Sequence, residues 1–281
     1  MELGGIEVVN EVKVVKHYQK PNLYEEIVQG LQDTGLALGS LSSENLSMVD
    51  EFHIGGTSGT KFVTEKLSYS ENSKILDIGC GIGGPARFLA ENSNCSVTGI
   101  DLTSSYIETG NKLTKLVGLE DRVQLVNASA IELPFDENSF DSSYMIHVGM
   151  NISEKSKLMS EVFRVTKPGG NFVIYDVMKL EDIPVDYPLP WADRKEESAV
   201  DLISVYETEL LNTGFQIIEK DVKTDFAIKF FENMIENIKK SGPLPLGLHL
   251  LMGKNTQEKI SNVFRQIKEK KLSPVVIVAK K

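Results

Sequence analysis

Cysteine is nearly missing from this chain. Cys80 and Cys95 are the two among 281 residues, and neither sits in a pairing motif or beside histidines at ligand spacing. That excludes a disulfide framework and a cysteine–histidine centre, and no metal is expected. No apolar run approaches the roughly twenty residues of a spanning helix. The opening Met1-Glu2-Leu3-Gly4-Gly5 also lacks the basic-then-apolar pattern of a secretory leader. A cytoplasmic protein without a membrane span, its thiols reduced, is the expectation, and the sequons at Asn45, Asn127 and Asn151 are read as chance. Positive charge is scarce as well. The net charge of −10 disfavours a nucleic-acid partner, and short clusters such as Lys239-Lys240 are read as solvated helix faces.

What the chain does have is 41% hydrophobic residues, enough for a substantial core, and alternating strand and helix patterns from Lys74 onward. Strands are predicted near 74–78, 96–101, 122–127, 140–146 and 171–178, with helices at about 84–91, 104–117 and 153–165. This is the pattern of an α/β fold with a doubly wound, Rossmann-like parallel sheet. Gly214 separates a helix over 199–212 from a strand over 215–222, and Pro274-Val275-Val276-Ile277-Val278-Ala279 makes a last β run. Residues 1–52 read as largely helical, and 224–270 as two amphipathic helices around the stretch Ser241-Gly242-Pro243-Leu244-Pro245-Leu246-Gly247. The expected division is an N-terminal helical lid (1–52), a core (53–223) and a helical cap (224–281) that returns to the final core strand. Lid and cap should meet the carboxyl ends of the strands, where open α/β sheets bind ligands.

The most informative stretch is Ile75-Leu76-Asp77-Ile78-Gly79-Cys80-Gly81-Ile82-Gly83-Gly84, an apolar strand running into a glycine-rich turn with a helix beyond it. Such a turn lets a nucleotide lie against bare backbone. Gly79, Gly81 and Gly84 also satisfy the dinucleotide fingerprint, so this turn alone leaves NAD open. Asp77 could bind a cationic amino group over the turn, such as the methionyl ammonium of S-adenosylmethionine. Asp101, ending Ser96-Val97-Thr98-Gly99-Ile100-Asp101, is placed to take ribose hydroxyls of either cofactor.

Further along come Asn127-Ala128-Ser129-Ala130-Ile131-Glu132-Leu133-Pro134-Phe135 and Val165-Thr166-Lys167-Pro168-Gly169-Gly170. With these, the chain resembles the class I S-adenosylmethionine-dependent methyltransferases over about residues 50–220. The likeness is to the small-molecule branch, which carries D-x-G-x-G-x-G, A-x-x-L-P-F and K-P-G-G in this order. The resemblance implies a seven-stranded sheet with an antiparallel edge, S-adenosylmethionine as cofactor, S-adenosylhomocysteine as product, and methyl transfer to a small-molecule N, O or C nucleophile. An NAD-linked oxidoreductase and a non-catalytic cofactor-binding subunit are the alternatives.

The same resemblance implies roles by position. Gly79, Gly81 and Gly83 would approach the cofactor's methionyl and ribose portion, and Leu102 the adenine. Ser129 stands where the family usually has an acid for the adenine amino group, and Ala130 would contribute its backbone N–H. Ile146 would pack on the cofactor. His147, where many relatives carry an acid, would face the cleft as a general base, with a structural histidine as the competing reading. Likeness to the phosphoethanolamine and sarcosine/dimethylglycine N-methyltransferases implies that Gly56 contacts the methionyl group and His53 lies near the methyl donor. Tyr18, rather than Tyr24, would close the site from an upstream helix, with core packing of both as the competing reading. The loop around Trp191 and the run Leu248-His249-Leu250-Leu251-Met252 are candidate substrate walls, though packing alone explains either. No N-P-P-Y or D-P-P-Y run is present, which argues against nucleobase or glutamine-amide methylation.

Overall fold

The structure is a computed structural model that describes residues 11–242, 246–253 and 255–281. The first ten residues of the expected lid and residues 243–245 of the Pro/Gly-rich stretch lie outside the described residues.

Seven strands form one sheet: β1 (Lys74–Ile78), β2 (Ser96–Asp101), β3 (Val123–Asn127), β4 (Ser142–Ile146), β5 (Asn171–Lys179), β6 (Gln216–Val222) and β7 (Leu272–Lys280). Their order is β3-β2-β1-β4-β5-β7-β6. The first five run parallel, and β7 lies antiparallel between β5 and β6. The order reverses between β1 and β4, which opens a crevice beyond their carboxyl ends.

Alternation along each strand sorts side chains to two layers. Leu76 and Ile78 face one way, with Leu158 and Val162 of α7 (Lys155–Val165) and Leu210 of α8 (Ile203–Thr213). Ile75 faces the other, against Val63 of α4 (Thr57–Thr64), Ala86 and Leu89 of α5 (Gly84–Asn92) and Ile107 of α6 (Ser104–Leu116). Before the sheet come α1 (Glu11–Tyr18), α2 (Leu23–Asp33) and α3 (Ser43–Asp50). Leu23, Ile27 and Leu31 of α2 join Leu46 and Val49 of α3 in a cluster with Tyr106 and Leu113 of α6. After β6 come α9 (Thr224–Ser241), the short α10 (His249–Met252) and α11 (Thr256–Lys268). Phe231 of α9 and Val263 and Ile267 of α11 pack on Val177 and Leu272 at one end of β5 and β7.

Several boundaries differ from the sequence expectation. β4 starts at Ser142, not 140, because the Phe140 amide donates to Val165 and the Asp141 carboxylate accepts the Lys74 amide at 2.8 Å. The helix expected from 199 begins at Ile203, since the Ala199 amide is drawn to the Met150 carbonyl at 2.7 Å and Lys179 to Asp201 at 2.8 Å. β7 is longer than predicted, running from Leu272. Among the described residues no helix is long and apolar enough to cross a membrane.

Candidate active site

The turn after β1 puts Gly79 and Gly81 at φ 69° and 54°, a region that side-chain-bearing residues avoid. A Cβ on Gly79 would stand 2.3 Å from Val148, whereas one on Gly81 would meet nothing within 4 Å. The face of Gly81 is therefore bare backbone open to the cavity it lines. Gly83 does different work. It precedes α5, does not line the cavity, and a Cβ there would strike Leu125 at 2.8 Å.

Two acids flank this turn, Asp77 buried and Asp101 half-buried. Asp101 accepts the Thr103 amide on Oδ1 at 2.8 Å and the Gly81 amide on Oδ2 at 3.0 Å, while burial raises its pKa. Asp77 is 2% exposed, and its Oδ2 has no hydrogen-bond partner among the described residues. Burial pushes its pKa up to about 7, with the Tyr144 hydroxyl opposing and the Asp101 charge adding to the rise. A buried, unpartnered carboxylate oxygen on a cavity wall is a position that calls for a donor.

Ile146 ends β4 and His147 follows it, both lining the same cavity. His147 has φ 56°, and its ring centroid lies 4.9 Å from that of Tyr175 and 5.9 Å from that of His53. The Ile54 amide donates to His147 Nε2 at 3.4 Å, which puts the ring proton on Nδ1. Burial, and then the His53 charge, hold its pKa well below 6.5, in contrast to the near-neutral histidine expected from sequence. The Tyr175 hydroxyl fixes the other side of the same segment, donating to the Ile54 carbonyl at 2.9 Å.

His53 contacts the Gly56 carbonyl at 3.1 Å, Thr60 Oγ1 at 3.2 Å and Glu51 at 3.4 Å, all through Nε2. Burial lowers its pKa to about 4 and raises that of Glu51 to about 8. At neutral pH the two side chains meet as neutral groups, both hydrogen-bonded to the Thr60 hydroxyl, and not as an ion pair. Gly56 itself caps α4 with φ 49° and does not line the cavity. Tyr18 does, with its hydroxyl donating to Asn151 Oδ1 at 3.3 Å, whereas Tyr24 lies under the Lys112 ammonium of α6.

Leu102 and Ala130 line the cavity as well. Ser129 does not; its hydroxyl donates to Glu11 at 2.5 Å and accepts the Ile131 amide at 3.2 Å, tying α1 to the loop after β3. Of the two expected walls, Pro190, Trp191, Leu248, Leu251 and Met252 face the cavity, and His249 is exposed.

Sequence reasoning missed the groups that hold these loops. Arg87, fully buried, donates to Asp50 at 2.8 Å, to the Ile82 carbonyl of the glycine turn at 2.7 Å, and to Gly110 and Thr114 of α6 at 3.2 and 3.0 Å. Lys155 spends its ammonium on the carbonyls of Gly149, Ile152 and Ala199 at 3.1, 2.8 and 2.9 Å. Asp176 accepts the Tyr206 hydroxyl at 2.6 Å, and burial raises its pKa to about 7. The one available signal was a charge inside an apolar run, as in Ile174-Tyr175-Asp176-Val177-Met178.

Residues 76–174 match the family described as "Methyltransferase domain". The chain is 39% identical over 124 residues to the sterol 4-C-methyltransferase strm-1 of Caenorhabditis elegans, covering 44% of this chain and 37% of that protein. It is 27% identical to the glycine/sarcosine/dimethylglycine N-methyltransferase of Actinopolyspora halophila over 74% of this chain and 36% of the relative. Thus it spans about a third of the length of these curated relatives. The geranyl diphosphate C-methyltransferase of Streptomyces coelicolor A3(2) shares the fold, with a TM-score of 0.70 at 14% identity over 96% of this chain and 97% of the other. Residues 76–174 therefore carry a methyltransferase domain, and the chain shares its fold with a solved methyltransferase. The residues present are compatible with S-adenosylmethionine: the backbone is bare at Gly81, the Asp101 carboxylate stands beside it, and Asp77 Oδ2 has no partner among the described residues.

Proposed function

We propose that this protein is an S-adenosylmethionine-dependent methyltransferase acting on a small molecule. The observation that carries the reading is the orphaned Asp77 oxygen beside the open face of Gly81, a pocket built for a cation on a nucleotide. When bound, the cofactor supplies a methyl group on a cationic sulfur, whose carbon–sulfur pair stays with sulfur as the acceptor's electron pair forms the new bond. The protein's part is alignment and water exclusion. Asp77 holds the ammonium, Asp101 the ribose hydroxyls, and Leu102 and Ala130 flank the adenine. Ile146 supports the methionyl arm from the end of β4. Gly56 and Gly83 shape the neighbouring backbone, while Ser129 orders the loop that covers the adenine. His147 presents its Nδ1–H to the acceptor, His53 backs it, and Tyr18 closes the cleft with α1. The acid-lined cavity and net negative charge suit a small acceptor better than nucleic acid, and a cytoplasmic location belongs to the same proposal.

Calorimetric titration with S-adenosylhomocysteine and, separately, NAD tests the reading. Micromolar binding of the first alone is expected; binding of NAD alone would overturn it. A pH series adds a sharper check. Asp77 has a folded pKa of about 7, and a cationic ligand needs it ionised. Affinity should therefore rise as pH passes upward through 7 and fall on the acid side by up to about tenfold per pH unit. Asp77→Asn should flatten this dependence. Asp101, Tyr144 and Arg87 also act on Asp77, and Asp77 in turn raises Glu51, which at about 8 is the second group titrating nearby. A Glu51→Gln control separates its contribution.

A further inference from the structure

Beyond the cofactor residues, the cavity continues into a chamber built by the loop after β5, α9 and α11. Trp191, Phe230, Phe231, Met234, Ile260 and Val263 supply its wall. Among the described residues no lysine or arginine lines the cavity. The acids that line it are already engaged. Asp50 is paired with Arg87, Glu11 takes the Ser129 hydroxyl, and Glu154 is paired with Lys157 at 2.5 Å. Asp77 and Asp101 belong to the cofactor half. Between the wall and the glycine turn stand Tyr18 and Asn151, which bond each other, and His147, whose Nδ1 has no hydrogen-bond partner among the described residues.

A phosphate or carboxylate entering this chamber would lose its hydration with no cation to replace it, and a zwitterion would fare no better. An apolar skeleton would bury its surface against aromatic and aliphatic side chains, with a single hydrogen bond left to satisfy. We propose, on the methyltransferase reading above, that the acceptor is an uncharged, mainly hydrocarbon molecule whose one polar group is bound by His147 Nδ1–H. The geometry selects against the phosphorylated and amino-acid acceptors named for other members of this fold.

Trp191, the one tryptophan of the chain, is 4% exposed and lines the chamber, so its fluorescence reports on the acceptor. The full-length protein is first titrated with S-adenosylhomocysteine by calorimetry; absence of binding would remove the cofactor reading itself. The saturated complex is then titrated with geraniol, a neutral sterol, geranyl diphosphate, phosphoethanolamine and sarcosine. We expect a neutral probe to shift Trp191 emission at micromolar concentration, and geranyl diphosphate to bind at least about 100-fold more weakly than geraniol. Met234→Lys, at a half-buried position, should weaken the neutral probe at least about tenfold and leave the S-adenosylhomocysteine affinity unchanged, while Met234→Leu retains both. If the homocysteine compound binds but geranyl diphosphate equals geraniol, or every neutral probe is silent, the acceptor assignment is wrong and the cofactor reading stands.

Discussion

Replacing Arg87 by alanine should cost about 3–5 kcal/mol of folding stability, measured by urea unfolding followed by circular dichroism. The side chain joins α3, the glycine turn, α5 and α6 through four hydrogen bonds, and Asp50, its ionic partner, is 5% exposed. Removing the guanidinium leaves a carboxylate buried without a counter-charge. That loss is a large fraction of the roughly 5–15 kcal/mol that holds a typical domain together. Burial already raises the Asp50 pKa, and Arg87 opposes that rise. In the variant the folded pKa moves further above the unfolded one. The folded state then binds more protons across that window, and stability drops as pH increases through it. The deficit should be greater at pH 8 than at pH 5, and Arg87→Met with Asp50→Leu should recover most of it. A single-variant deficit under about 1 kcal/mol would mean that the pair does not organise this region.

The second large effect belongs to Asp101. Each carboxylate oxygen can accept more than one hydrogen bond, so the bonds from Gly81 and Thr103 leave capacity for a ribose diol. Two charge-assisted bonds contribute about 3 kcal/mol or more, so Asp101→Ala should weaken S-adenosylhomocysteine binding by at least about 100-fold. The substitution also frees two loop amides, and Asp101→Asn, which keeps an acceptor for one of them, is the companion variant. Both should bind weakly while the melting temperature falls more for alanine. Undiminished affinity in either would take the ribose role away from this residue.

The glycine turn and its flanking acids were legible because their signals are local. A strand, a turn that demands positive φ and an acid at the next strand's end are read from consecutive residues, and they fall where expected at β1, Gly79, Gly81 and Asp101. Side-chain reach was less legible. Ser129 sits in the anticipated loop, but its hydroxyl is used by Glu11, 118 positions earlier. His147 was visible as a cleft residue, while its low basicity comes from burial and the neighbouring His53, which only the fold brings together. The buried Arg87 and Lys155 were silent for the same reason, and Asp176 showed only as a charge inside an apolar run: each is meaningful through carbonyls, a carboxylate or a hydroxyl on other elements. The apolar chamber is assembled by α9 and α11, whose amphipathic patterns showed that they pack but not against what.

The position of β7 carries a consequence for how the chain is made. β6 ends at Val222 and β7 begins at Leu272, so β6 leaves the ribosome 50 residues ahead of the strand that joins it to β5. At about 5–20 residues per second that is a wait of roughly 2.5–10 seconds. During it the β7-facing side of β5 and both sides of β6 stay unpaired, and β6 carries the exposed side chains Ile218 and Val222. Exposed strand edges recruit other chains. Slowing synthesis between α9 and β7, or crowding several nascent copies on one message, should therefore favour aggregates over soluble product, although the finished sheet shows no such weakness at β5.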